Sequence, residues 1–340
     1  MTEVTRRQAL AGLAAAGALA GVGAPAYAST KVNVGALRFT SHAASFVAFE
    51  RGYFKDVGLD VEFKFFQAAQ PMAVAIASGD ADYAVTAISG GLVSLAEKGA
   101  AKVIGGALQE EEGVDGQMVL ASNKAFDDGL SSVSQLKGRT FGMTTAGSSF
   151  HYMGDKMRMA EGIAEDDLVF KPLQKVGAII GALKSGQIDA WAIVPHIGKA
   201  LAGAGAVKHI GMVAEYIHDY QVTTVFTSAA NAANERARTE AFLKAFAMGA
   251  ADFNAALVDK TEGDAAGEEM VRLIHNYVYA DQPYEKASRS IRNGAMRINA
   301  DAALNHNSVQ DQLDWFKAKG LVKDSVTFET LVDPSYAPKI

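Results

Sequence analysis

Two stretches of this chain are one supersecondary unit written twice, at a constant offset of 107 residues. Val61–Val85 reads VEFKFFQAAQPMAVAIASGDADYAV and Leu168–Ala192 reads LVFKPLQKVGAIIGALKSGQIDAWA. Phe63-Lys64, Gln67, Ala75, Ser78-Gly79 and Asp82 recur as Phe170-Lys171, Gln174, Ala182, Ser185-Gly186 and Asp189. A repeat this long implies two copies of an α/β unit rather than a solenoid of many short ones. Each copy reads as a strand, an Ala-rich helix closed by Ser-Gly, and a second strand. Two such units in one chain make two lobes with a cleft between them, which is the form of a ligand clamp.

The N-terminus bears on where such a clamp works. Paired arginines, Arg6 and Arg7, precede a short Ala/Gly/Leu run, Ala9–Gly23, which Pro25 and Ala26-Tyr27-Ala28 follow. A positive start, a short apolar run and a small-residue A-x-A site read as an export signal cleaved after about Ala28. The adjacent arginines suggest the twin-arginine route, with an ordinary secretory signal as the alternative. No later stretch reads as a membrane span, and no cysteine is available for lipidation, so the expected location is the periplasm.

Removing residues 1–28 takes away one Glu and two Arg, so the formal charge moves from −6 to −7. An acidic balance argues against nucleic acid or an anionic membrane surface as partner. With no cysteine in 340 residues, disulfides, thiolate catalysis and Cys-ligated metal are excluded. About 310 residues suit two domains of ordinary size.

Strands are expected at 32–38, 61–66, 82–86, 102–108, 117–122, 140–144, 168–173, 188–194, 207–212 and 222–227, alternating with helices. Such βα alternation implies mainly parallel sheets flanked by helices. The expected division is 29–122 with 222–340 in lobe I and 123–221 in lobe II. The C-terminal helices, near 235–258, 264–278, 286–293 and 308–319, read as scaffold laid on one lobe.

In open α/β sheets ligands bind beyond the carboxyl ends of the parallel strands. That rule selects loops carrying Phe39, Thr40, Ser41 and His42, then Gln67, then Thr86, Ile88 and Ser89 in lobe I. In lobe II it selects Thr145, Ser148, Ser149, Phe150 and His151, then Gln174, and Trp191 with Pro195 and His196. Helix starts with free N–H groups and hydroxyls suit an anionic head such as sulfonate, carboxylate or phosphate. Each such Ser or Thr could equally be an ordinary N-cap. The aromatic and apolar residues suit the body of a small molecule. The three histidines could hold a metal or donate as neutral rings to an anion, but no close ligand spacing points to metal. Glu110-Glu111-Glu112 is either a solvated run or a source of one carboxylate for a ligand amine.

These residues resemble the periplasmic binding proteins for nitrate, sulfonates, taurine and thiamine precursors, a branch of the ABC-importer solute-binding proteins. The resemblance rests on Phe46–Asp56 (FVAFERGYFKD) with Gly58-Leu59-Asp60-Val61, on Ala77–Asp82 (ASGDAD), and on Leu136-Lys137-Gly138-Arg139. Leu183–Ala190 (LKSGQIDA) and Val332–Tyr336 (VDPSY) add to it. It covers most of the chain and implies a two-lobed Venus-flytrap fold, no catalysis, no cofactor, and a monomer that delivers its ligand to a membrane permease. The expected ligand is a small organic anion, an aromatic carboxylate or sulfonate, with taurine, an alkanesulfonate or a thiamine-precursor pyrimidine as alternatives. A ligand-sensing subunit of a receptor would share the fold. A relative that makes the thiamine pyrimidine needs a cysteine-rich motif that this chain lacks.

Overall fold

The computed structural model describes residues 29–340. The export signal expected around Arg6 and Arg7, with its cleavage site, lies outside the described residues. Ten strands form two five-stranded sheets. The first is built from β1 (Thr30–Ala36), β2 (Leu59–Phe65), β3 (Tyr83–Thr86), β4 (Lys102–Gly106) and β10 (Thr224–Thr227), in the order β2-β1-β3-β10-β4. The second holds β5 (Met118–Ser122), β6 (Arg139–Met143), β7 (Leu168–Pro172), β8 (Ala190–Ile193) and β9 (Val207–Met212), in the order β7-β6-β8-β5-β9. In each sheet the fourth strand runs antiparallel to both neighbours. The expectation of mainly parallel sheets therefore holds, and the repeated units fall in different sheets.

Helices of eight residues or more are α1 (Ala43–Glu50), α2 (Ala69–Ser78), α3 (Gly90–Glu97), α4 (Ser149–Ala160), α5 (Val176–Lys184), α6 (Pro195–Gly203), α7 (Arg236–Phe253), α8 (Gly263–His275), α9 (Tyr284–Arg292) and α10 (His306–Ala318). The repeat explains itself in this frame. Each Ser-Gly closes its helix: Gly79 and Gly186 take left-handed backbone (φ 81° and 71°), and Ser78 and Ser185 hydroxyls donate back to Ala75 O and Ala182 O. Each Asp then locks the next strand. Asp82 accepts the Asn33 N–H at 2.8 Å, and Asp189 accepts the Thr140 N–H at 2.8 Å. Both pairs are 49 residues apart in sequence. The repeated carboxylates are structural clamps that fix β1 beside β3 and β6 beside β8.

Two expectations need correction. Strand 117–122 was assigned to lobe I, but β5 pairs with β8 and β9 in the second sheet. The crossing between lobes therefore falls between Gly106 and Met118, and the return between Met212 and Thr224. Local pattern could not reveal this, because an antiparallel strand inserted from the other lobe has the same apolar run as its neighbours. The C-terminal helices, in turn, do not serve one lobe. From α10, Trp315 Nε1 donates to Asp155 of α4 at 2.8 Å, and Asp311 accepts Tyr152 and Lys156. Asp155 is fully buried, and burial alone raises its pKa. Its bonds to Arg158, Trp315 and Lys319 outweigh that and hold the carboxyl below its usual range. Helix α9 likewise packs against α6 of the second lobe. One segment, Arg236–Val258, is long and apolar enough to span a bilayer by length and composition. It includes α7, which packs on α1 within the first lobe with Phe242, Phe246 and Phe253 buried.

The clamp assignment is testable. Asp189→Ala removes the partner of the Thr140 N–H and hydroxyl. The loss expected in urea denaturation is about 1.5–3 kcal/mol, the usual range for hydrogen bonds to a charged group. An unchanged unfolding midpoint would remove the assignment.

Candidate ligand-binding site

A cavity of about 60 Å³ lies between the lobes, at the carboxyl ends of β1, β3, β6 and β8. Its walls obey the repeat. Leu37 and Thr144, Ser41 and Ser148, His42 and Ser149, Ala69 and Val176, Thr86 and Ile193, and Ala87 and Val194 all line it, each pair 107 residues apart. Phe39, Phe150 and Ala68 add apolar surface, and Gln117, Val222 and Thr223 close the end formed by the two crossing segments.

Of the residues selected from sequence, Phe39, Ser41, His42, Thr86, Ser148, Ser149 and Phe150 line this cavity. The others stand elsewhere. Gln67 and Gln174 are exposed at equivalent strand ends, the latter with left-handed backbone (φ 67°). Ile88 is core, and Ser89 is the N-cap of α3, its hydroxyl accepting the Leu92 N–H. Thr145 lines a separate groove with Gln70, Gly90 and Leu321. His151 accepts the Gly147 N–H on Nδ1, and its ring packs edge-on against Phe170 and Trp315. Trp191 is fully buried, one layer beneath the cavity, with its indole edge against Phe150 at 5.3 Å. Pro195 begins α6 at the first turn, and His196 follows it, buried behind Phe39. Thr40 is buried and bonds His196 and Gly294 O rather than facing the cavity.

Sequence reasoning missed Leu37, Ala68, Ala69, Ala87, Gln117, Thr144, Val176, Ile193, Val194, Val222 and Thr223. Shifting each chosen loop by 107 would have recovered most of them. Gln117, Val222 and Thr223 escape that device, since they lie on the crossing segments.

The polar groups on the wall are uncharged donors. Ser148 precedes α4 as its N-cap, yet its hydroxyl makes no capping bond and is buried without a partner. Gln117 Nε2 is also buried and unpartnered. His42 Nδ1 lies 3.4 Å from the Leu37 N–H, which it accepts, so the proton sits on Nε2. Burial pulls the His42 pKa down to about 3, which keeps the ring neutral. Thr223 Oγ1 accepts the Leu108 N–H, which leaves its own proton to donate. Arg38 points away, over the Phe65 ring and toward Tyr277 O. The acidic run divides three ways. Glu110 is buried beside the crossing segment, accepts the Gln117 N–H, and is raised to about 7 by burial. Glu111 pairs with Arg297 at 2.9 Å, and Glu112 is exposed.

The lobes meet on both sides of this cavity. Gly90 N–H donates to Gly147 O at 2.9 Å, and His196 contacts Thr40 Oγ1 at 2.9 Å. Gly147 has left-handed backbone (φ 73°), and a Cβ there would stand 3.4 Å from Gly90 N. A cavity shared equally by two lobes, closed at both sides, lined by apolar groups and neutral donors, can enclose a small acceptor-bearing solute.

The family described as NMT1/THI5 like matches residues 39–256. No curated protein matches the chain. Among solved structures, the alkanesulfonate-binding protein SsuA from Xanthomonas axonopodis pv. citri, bound to MOPS, is 16% identical with a TM-score of 0.71, covering 89% of this chain and 98% of its own. The ligand-binding component of an ABC-type import system from Staphylococcus aureus, with zinc bound, is 14% identical (TM-score 0.69, coverage 91% and 98%). The periplasmic nitrate-binding protein NrtA from Synechocystis PCC 6803 is 14% identical (TM-score 0.69, coverage 89% and 84%).

Ser89 and Ser148 separate capping from binding. Ser89→Ala should cost about 1 kcal/mol of stability through the lost cap and leave the cavity intact. Ser148→Ala should leave the denaturation midpoint almost unchanged and weaken ligand binding instead. The reverse pattern would return Ser148 to an ordinary cap.

Proposed function

The chain belongs to the NMT1/THI5-like family, and from that premise we propose that it is the solute-capturing component of an ABC importer. It works in the periplasm after removal of its export signal. It closes two lobes on a small organic anion and presents the closed complex, as a monomer, to a membrane permease. No reaction is catalysed. The observation that carries this reading is the cavity itself, to which the two lobes contribute equivalent positions. A ligand touching both lobes is held fully only when they are shut, and that differential contact is what drives closure.

The wall chemistry supports an anion met by neutral groups. Ser148, Gln117, Thr223 and His42 offer N–H or O–H donors, and no charged side chain of the described residues lines the cavity. Helix α4 starts at the same wall and adds the positive end of its dipole. Three solved relatives in fold carry MOPS, zinc and the name of nitrate, so the ligand must be argued from these side chains. A buried water occupies roughly 10–15 Å³ by the same kind of measure. About 60 Å³ therefore suits a compact head with a short apolar tail. An aromatic body, the first choice from sequence, requires the lobes to part further. A pyrimidine is the second reading, favoured by Gln117, whose one amide offers both a donor and an acceptor.

A thermal-shift screen should separate these classes, using ethanesulfonate, benzenesulfonate, benzoate and an aminopyrimidine. A true ligand at a hundred times its Kd adds about 2.7 kcal/mol of stability. Small-angle scattering should then show a smaller radius of gyration with the same compound. A saturating ligand that leaves the radius unchanged, or a screen in which only neutral compounds stabilise, overturns the proposal.

A further inference from the structure

The two contacts that join the lobes beside the cavity occupy equivalent positions in the repeat. Thr40 stands 107 residues before Gly147, and Ser89 stands 107 before His196. One contact, Gly90 N–H to Gly147 O, is backbone to backbone and cannot titrate. The other depends on an imidazole. Thr40 Oγ1 has a single proton, which it gives to Gly294 O at 3.1 Å. At 2.9 Å from that oxygen, His196 Nδ1 must therefore be the donor, which leaves Nε2 as the bare nitrogen. Nε2 is buried and has no partner among the described residues. The ring is fully enclosed, with Phe39 at 5.4 Å and Tyr279 at 5.9 Å, edge-on. Gly294 lies so close that a Cβ there would stand 2.2 Å from His196 Cβ.

We propose that His196 positions the ligand-contacting loop 39–42 by clasping Thr40 across the cleft, and that it does so only as the neutral ring, so that ligand capture is coupled to loss of a proton. This rests on the solute-capture reading above. A proton on Nε2 would place a positive charge in an enclosed site with nothing to accept it. The titratable groups that face the ring are His42 from the loop and Tyr279, whose hydroxyl donates to His196 O; neither stabilises an imidazolium. Lys199, on the same helix, is already held by Asp115 and Asn293 O. Burial, with a smaller repulsion from His42, pulls the closed-state pKa down to about 3 from an ordinary 6.5. Opening the lobes returns the ring to water. Closure is therefore free of a proton cost above about pH 6.5 and weakens as pH falls below it, toward 3. The same loss applies to His42, which lines the cavity.

Calorimetry with ethanesulfonate tests this from pH 7.5 to 5, because that ion keeps its charge throughout. Below about 6.5, affinity should fall tenfold per pH unit for each histidine that must give up its proton. His196→Asn keeps an N–H for Thr40 but binds no proton, so its affinity should fall one power of ten less per pH unit than that of the wild type. Hydrogen exchange supplies an arm that needs no ligand. After correction for intrinsic rates, residues 39–42 should exchange faster at pH 5.5 than at 7.5 in the wild type and equally in His196→Asn. Thr40→Val should loosen the loop at both pH values, and Thr40→Ser should restore it. An identical acid response in wild type and His196→Asn overturns the proposal. Acid-dependent exchange without anion binding at any pH would leave the clasp standing and remove the ligand assignment instead.

Discussion

Each sheet takes its fourth strand from chain arriving out of the other lobe, and every other feature follows from that exchange. β5 enters the second sheet directly after β4 of the first, and β10 returns after β9. The two crossing segments run side by side, with Glu110 N–H on Tyr220 O and Val222 N–H on Leu108 O. Gln221 ties them together. Its amide donates to Leu108 O and Thr223 O, and its oxygen accepts Asn299 Nδ2 and Asn305 N–H. A fully buried amide that is fully paired holds one geometry, since any slip would leave a polar group unpartnered in a dry site. The lobes can then rotate about this double connection but cannot separate, and the cavity forms against it.

Within that frame the repeat does two different jobs. Asp82 and Asp189, with the Ser-Gly turns before them, do the same work twice because both sheets need the same clamp. The cavity positions have diverged. Ser41 matches Ser148, but His42 matches Ser149 and Thr86 matches Ile193. The scaffold pairs kept their chemistry, whereas the wall pairs became one polar and one apolar half. A duplicated fold thus encloses an asymmetric solute.

The C-terminal helices change how closure has to be described. Helix α10 is anchored to the crossing segment through Ser308 and Gln312, which bond the backbone of Gln221. It also reaches α4 through Trp315, Asp311 and the residue that follows it, Lys319. Buried Asp155, paired with Arg158 and Lys319, makes this a costly contact to half-break, because one partner removed leaves an uncompensated charge. Movement between the lobes therefore has to carry α10 with α4 or part them together.

Much of this was legible in the residues. The offset of 107 announced two like units, and strand ends beyond them named the loops that hold Phe39, Ser41, His42, Ser148, Ser149 and Phe150. Those are local facts: apolar periodicity, a Ser-Gly stop, an Asp at a fixed place. What sequence could not supply was any pairing made across the chain. It could not place β5 in the second sheet, because strand pattern is the same whichever sheet receives it. It could not tell the capping Ser89 from the uncapping Ser148, since that depends on where a hydroxyl finds a partner. Nor could it put Gln117 and Thr223 on the cavity wall, or His196 behind it against Thr40. Residues fix which elements can form; only the packing of distant segments, in which each buried donor takes or lacks a partner, decided which of them face the ligand.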